Sequence, residues 1–211
     1  MSRQIDWYFD FISPFAYLQF VHLERLPADV EVRLVPVLFA GLLGHWEHKG
    51  PAEIPAKRVQ TYRYCQWLAH RLGVPYRTPP AHPFNPLAAL RLAIALGPSR
   101  PIVAAIFDYV WGGGGDVDDR AAFAAFARSL GVDDLDNRIA APAVKDTLRR
   151  NTADAIARGV YGVPTAAIDG ELFWGFDTTN LLLDYLADPG VLATPEMQRL
   201  AALPSAATRR H

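Results

Sequence analysis

Cysteine is nearly absent from this chain: among 211 residues only Cys65 carries a thiol. One cysteine forms no internal disulfide, supplies no C-x-x-C redox pair and builds no thiolate zinc site. No metal centre is expected. An excess of either charge is missing as well. Lysine and arginine number 21 against 22 acidic residues, for a net charge of -1, whereas a nucleic-acid-binding protein shows a basic stripe. Long apolar runs are also lacking, and nothing approaches the ~20 residues of a membrane span. Met1-Ser2-Arg3-Gln4 leads into Ile5-Asp6-Trp7-Tyr8-Phe9-Asp10-Phe11. The aspartates break the run of ~7–15 apolar residues that a secretory signal needs. These absences lead us to expect a soluble cytoplasmic protein with neither a nucleic-acid nor a membrane partner.

Apolar residues are plentiful. With 51% hydrophobic, 11% aromatic and 20% charged residues, the chain buries a sizeable core and most of it is not disordered. Residues 5–11 alternate and are rich in β-formers, which predicts a first strand. Ser13-Pro14 then reads as an N-cap followed by proline at the first helical position, opening a helix to about Leu26. Val30 to Val37 reads as a second strand, completing a βαβ unit.

The middle of the chain is helical in pattern throughout. Tyr64, Cys65, Leu68, Ala69 and Leu72 form an apolar stripe closed by Gly73, on which Cys65 serves core packing. Asn85-Pro86 opens a helix ending at Gly97, and Pro101 opens another that runs to Gly112–Gly115. Asp118 caps a fourth, with Phe123, Phe126 and Leu130 on one face. A helix over 144–158 follows, then Thr165–Ile168 and Glu171–Trp174 joined by Asp169-Gly170, a strong hairpin signal. Asp177 or Thr178 opens a last helix to about Ala187. The order is β-α-β, helical block, α-β-β-α. It predicts an α/β fold: a thioredoxin-like domain with an inserted all-helical domain. The discontinuous thioredoxin-like part is 1–41 and 141–188, the insert is 42–140, and 189–211, including Thr208-Arg209-Arg210-His211, is a C-terminal arm.

In such a domain the working site is the N-terminus of the first helix, where free N–H groups and the helix dipole stabilise an anion. Here that position reads Ser13-Pro14-Phe15-Ala16, with a hydroxyl and a methyl group in the places of the two cysteines. Disulfide exchange by the protein itself is chemically impossible with these residues. A hydroxyl able to donate to a thiolate brought from elsewhere remains, although the same serine would serve equally as a plain cap. Gly162-Val163-Pro164-Thr165 lies where thioredoxin-like proteins place a cis-proline, and an ordinary trans proline opening a strand fits the sequence as well.

Phe9-Asp10-Phe11-Ile12-Ser13-Pro14-Phe15-Ala16-Tyr17-Leu18 resembles the opening motif of the 2-hydroxychromene-2-carboxylate isomerases. These are relatives of the kappa-class glutathione transferases in the disulfide-oxidase branch of the thioredoxin superfamily. The resemblance continues through 51–57, Phe84-Asn85-Pro86, 159–165 and 169–177, covering roughly residues 5–187. It implies a homodimer that binds glutathione and acts on a small aromatic substrate. By resemblance Ser13 is the catalytic residue, donating to the glutathione sulfur, and the Val163 backbone before Pro164 pairs with the cysteinyl part. Lys57 then meets the glycine carboxylate, and Asp177, with Thr178 beside it, takes the γ-glutamyl amine. An ammonium and a carboxylate on the ligand call for an acid and a base respectively. The chain departs from the family where an asparagine often precedes the lysine, since His48 stands nine residues before Lys57. It departs again where Phe176 and Thr178 flank Asp177. His45, Trp46 and His48, with Phe15, Tyr17 and Tyr8, are candidates to face an aromatic substrate. Three functions follow: a glutathione-dependent isomerase acting through reversible thiolate addition, a kappa-type transferase or peroxidase, and a non-catalytic binding module.

Overall fold

The computed structural model describes residues 3–205. Four strands form one sheet in the order β2-β1-β3-β4. Central β1 (Arg3–Phe9) pairs in parallel with β2 (Val30–Pro36) and antiparallel with β3 (Thr165–Ile168), and β4 (Glu171–Trp174) forms the edge beyond β3. β1 is covered on both faces. Its alternation sends Ile5, Trp7 and Phe9 into one apolar cluster and Tyr8 into a second, with Val35, Val37 and Ala167. Asp6 shares the Tyr8 face, bonded by Arg33 and Arg158. Burial raises its carboxyl, but the two guanidiniums outweigh burial and hold it below the usual range.

The helices are α1 (Pro14–His22), α2 (Phe39–His45), α3 (Pro55–Leu72), α4 (Leu87–Leu96), α5 (Arg100–Phe107), α6 (Arg120–Ser129), α7 (Leu135–Ala140), α8 (Pro142–Ala157), α9 (Thr179–Ala187) and α10 (Pro195–Ala201). No strand lies between β2 and β3. This is the thioredoxin-like fold with a helical insertion anticipated from the element order. The Asp169-Gly170 turn is as the sequence suggests, with φ of 53° and 89°. Both values are positive, as a two-residue hairpin turn of this kind requires.

Several local readings are corrected. β1 stops at Phe9, and beyond it the Ile12 N–H goes to the Asp10 carboxylate instead of to a neighbouring strand. Tyr64 is 46% exposed, so the buried stripe of α3 is Cys65, Leu68 and Ala69. Asp119 rather than Asp118 caps α6, accepting from Ala121 and Ala122, while Asp118 lies in the turn made by Asp116. α5 ends at Phe107 and continues as a π-helical turn over Asp108–Gly112. α7, a short helix capped by Asp134, had no periodic signal. α2 runs across the expected 41/42 boundary. Beyond 188 the chain forms a 3-10 turn over Pro189–Leu192 and then α10; 208–211 lie outside the described residues.

The helical segment and the sheet share one core. Phe107 sits among the rings of Trp7, Phe9, Phe11, Tyr17 and Phe20, at centroid distances of 6.4, 5.7, 4.7, 5.9 and 5.4 Å. It is fully buried. Phe107→Ala is therefore expected to cost about 3–5 kcal/mol, read from urea unfolding curves. A loss under about 1 kcal/mol would show that the seam contributes little.

Candidate active site

α1 begins where the chain leaves β1. Ser13 has extended φ/ψ of -92° and 115°, and its Oγ accepts from the Ala16 N–H at 3.2 Å, which makes it the N-cap. The hydroxyl hydrogen is directed at the Val163 carbonyl at 3.4 Å. The Val163–Pro164 peptide bond is cis. Residues 150 apart in sequence thus meet, with Ser13 7% and Val163 8% exposed. No backbone N–H of the described residues bonds the Val163 carbonyl. A capping hydroxyl, the positive end of a helix dipole and a stretch of backbone held only by that hydroxyl converge on one point.

The remaining expected residues divide clearly. Lys57 lies exposed in the first turn of α3, and Asp177 lies exposed in the 3-10 turn Phe176–Thr178. Both elements pack against α1, and neither side chain forms an ion pair among the described residues. Thr178 donates to the Gly175 carbonyl and so shapes its own turn. Phe15 is half-buried on α1, its ring 6.0 Å from Tyr64, which stacks on Trp67 at 5.8 Å. His45, Trp46 and His48 are exposed at the end of α2. Trp46 Nε1 donates to the Val160 carbonyl at 3.0 Å, joining it to the loop that leads to Val163, and His45 meets the Trp46 ring edge-on.

Tyr17 and Tyr8 are corrections. Tyr17 is 1% exposed, donates to the Pro75 carbonyl, and burial pushes its hydroxyl up to about 12. Tyr8 is buried under the sheet and accepts from Arg158. Helix and strand periodicity turn both rings inward, so neither faces a substrate. Cys65 is fully buried, and burial pushes its thiol up to about 12, which suits packing and not chemistry.

Sequence reasoning missed four residues here. Gln19 accepts from Trp7 Nε1 at 2.7 Å and donates to the Gly175 carbonyl and Thr179 Oγ1, tying β1 and α1 to the Asp177 turn. Trp174 lies over the Val163 loop: a Cβ on Gly162 would come within 2.3 Å of its indole nitrogen, so only glycine fits beneath it. Tyr161 packs on Trp174 at 5.1 Å, and both rings remain partly exposed. Asp10, three residues before Ser13, is fully buried. Its carboxylate accepts from the N–H groups of Ile12 at 3.0 Å and Phe39 at 2.9 Å. An aspartate two residues before a polar turn is the signal that could have exposed this role.

With this geometry in place, the comparisons are specific. The DSBA-like thioredoxin domain family matches residues 4–187, and the chain belongs to that family. Within it, the chain falls in the group of 2-hydroxychromene-2-carboxylate isomerases and kappa-class glutathione transferases. It is 30% identical over 196 residues to the 2-hydroxychromene-2-carboxylate isomerase of Sphingobium xenophagum, covering 89% of this chain and 100% of that protein. It is 26% identical over 213 residues to Glutathione s-transferase kappa 2 of Caenorhabditis elegans, covering 89% and 93%. A solved structure of 2-hydroxychromene-2-carboxylate isomerase superposes with a TM-score of 0.74 at 26% identity, covering 96% of this chain and 100% of that one. No helix among the described residues is long and apolar enough to cross a membrane.

Burial pushes the Asp10 carboxyl from 3.8 up to about 7, against the pull of backbone N–H donors from Phe39, Ile12 and Phe11. Its folded value lies above its unfolded one, so the folded protein holds this proton more tightly across that window. Stability from this group is complete below about pH 4 and falls as pH rises to 7, by at most on the order of 4 kcal/mol. Asp10→Asn removes that titration. The stability difference, wild type minus variant, should shrink between pH 4.5 and 8 in urea unfolding, those pH values being chosen to span roughly the shifted range. A constant difference across the range would rule the shift out.

Proposed function

We propose that the protein is a glutathione-dependent isomerase of the 2-hydroxychromene-2-carboxylate type, acting on a small aromatic unsaturated keto acid. The observation that carries this reading is the Ser13 hydroxyl at the N-terminus of α1, 3.4 Å from the Val163 carbonyl, in a frame with no cysteine at either thiol position. The residues present suit a thiol tripeptide. The Val163 backbone, whose carbonyl takes only the Ser13 hydroxyl among the described residues, offers an edge for an extended peptide, Ser13 offers a hydroxyl for its sulfur, and Lys57 and Asp177 offer charges without an ion-pair partner for its carboxylate and amine.

When bound, glutathione supplies a nucleophilic sulfur that adds reversibly to a conjugated carbon, so that a double bond can rotate as a single one. The chain's own part is electrostatic. A free thiol has a pKa of about 8.5 and is mostly protonated at neutral pH. The Ser13 hydroxyl already accepts from Ala16, which leaves its hydrogen to be donated, and its 3.4 Å contact to Val163 is long enough to be exchanged for a better acceptor. Donation from Ser13 and the dipole of α1 both favour the anionic form. Phe15 on α1, and Trp46, Tyr161 and Trp174 around the loop that leads to Val163, are accessible or half-accessible rings suited to a flat aromatic substrate.

A kappa-type transferase or peroxidase would use the same Ser13 and Val163, and the kappa relatives favour it as the second reading. Cytoplasmic location and a homodimer belong to this proposal. The test is Ser13→Ala, assayed for isomerisation with and without glutathione. Loss of at least about tenfold, together with dependence on added glutathione, is the expected result. That factor is ~1.4 kcal/mol of barrier, the scale of one hydrogen bond to a charged group. Full activity without glutathione, or in the variant, would overturn the mechanism. A calorimetric titration separates the enzymes from a non-catalytic module: no heat of binding at millimolar glutathione excludes both enzyme readings.

A further inference from the structure

The turn that delivers Ser13 is held from the helical segment. Trp111, on the π-helical turn, donates its Nε1–H to the Phe11 carbonyl at 2.8 Å. His82 Nε2 lies 2.8 Å from the next carbonyl, Ile12 O. A carbonyl oxygen only accepts, so Nε2 must carry the hydrogen. In the neutral ring Nδ1 is then an acceptor, and the Tyr62 hydroxyl stands 2.7 Å from it. The Ile12 carbonyl thus fixes the tautomer, and the Tyr62 hydroxyl stands beside both Nδ1 and the His82 carbonyl, to which it donates at 2.8 Å. Burial holds the imidazole below its ordinary value, with Arg58 adding to this and the Ile12 bond opposing it, which keeps the neutral form at pH 7. Trp111, Tyr62 and Phe84 fix the ring edge-on, with centroids at 5.3, 5.3 and 5.9 Å.

The Ile12 carbonyl belongs to the peptide unit whose N–H is that of Ser13. That N–H donates to the Asp10 carbonyl at 3.1 Å. Both ends of the unit immediately before the Ser13 Cα are thus tied, one to Asp10 just past β1 and one to His82. We propose that His82 is a positioning residue for Ser13, setting through Ile12 O the peptide plane that aims the Ser13 hydroxyl. This rests on the reading of Ser13 as the thiol-facing group, and it assigns a task to a part of the chain that touches neither Ser13 nor Val163 directly. Misplacement of a reacting group by about 1 Å can cost on the order of a hundredfold in rate, so a modest rotation of this plane is enough to matter.

The test compares His82→Leu, which removes the donor, with His82→Gln, whose side-chain amide can present an N–H where Nε2–H stood. Tyr62→Phe leaves the imidazole but removes the hydroxyl beside its Nδ1. One readout needs no thiol: hydrogen exchange at the Ser13 amide. It should accelerate at least about tenfold in His82→Leu, stay within about threefold of wild type in His82→Gln, and fall between them in Tyr62→Phe, these factors being rough measures of local opening. The second readout is kcat and KM with glutathione. In His82→Leu kcat should fall about tenfold or more with little change in KM, and His82→Gln should restore it. Should His82→Leu not fold, His82→Phe, which keeps a ring in the same place without a donor, carries the comparison, and wild-type exchange and kcat in that variant would overturn the proposal. An unchanged Ser13 amide in His82→Leu, or a glutamine variant no better than leucine, overturns it equally. Absence of glutathione binding by the wild-type protein would refute the proposed function instead, and the exchange measurement would still decide the role of His82.

Discussion

The structure depends on satisfying the backbone of one buried turn. Between the end of β1 at Phe9 and the start of α1 at Pro14, the chain passes beneath a helical layer where little water reaches, and a polar group left unpaired there costs about 1–3 kcal/mol. Each group described in this turn has a partner. The N–H of Ile12 goes to the Asp10 carboxylate and that of Ser13 to the Asp10 carbonyl. The carbonyl of Phe11 goes to Trp111 and that of Ile12 to His82. The Asp10 carboxylate also takes the N–H of Phe39, fixing where α2 begins. Ser13 is therefore not at the end of a loose loop. It lies where three parts of the chain have closed around a short, fully bonded peptide.

This arrangement explains why the helical segment is more than a cover. Its aromatic residues supply both the apolar seam, with Phe107 among five rings, and the polar donors Trp111 Nε1 and His82 Nε2. The π-helical turn over Asp108–Gly112 links the two tasks. Phe107 ends the regular helix inside the core, and Trp111, one widened turn later, is swung onto the Phe11 carbonyl. Turns of this kind recur at functional sites because the wider repeat re-aims a side chain that a regular helix would direct elsewhere.

Much of the frame was legible in the sequence because it rests on local chemistry. Ser13-Pro14 announces a capped helix, Asp169-Gly170 a tight hairpin, and the change from period two to period 3.6 marks where the sheet gives way to helices. The meeting of Ser13 with Val163 was legible only through family resemblance, since no periodicity relates residues 150 apart. What failed to show depended on three-dimensional neighbours. Tyr17 and Tyr8 look available for stacking until the core is seen to enclose them, whereas Tyr64 looks like core and stays exposed. Asp118 and Asp119 are equivalent caps on paper, and the preceding turn at Asp116 decides between them. His82 and Gln19 carry no local signature, because their partners lie 70 and 156 residues away.

The scarcity of cysteine acquires a physical meaning from this geometry. A thiol acidified at a helix N-terminus needs the dipole, a donor and a fixed position, and the chain retains all three while lacking the thiol. Burial alone requires the polar groups of this turn to be paired. The same pairing fixes both ends of the Ile12–Ser13 peptide, which suits the proposed role of Ser13 as a hydroxyl whose direction matters. Direction matters for a hydrogen bond to a charge brought by another molecule, because that bond weakens steeply as its angle departs from linear.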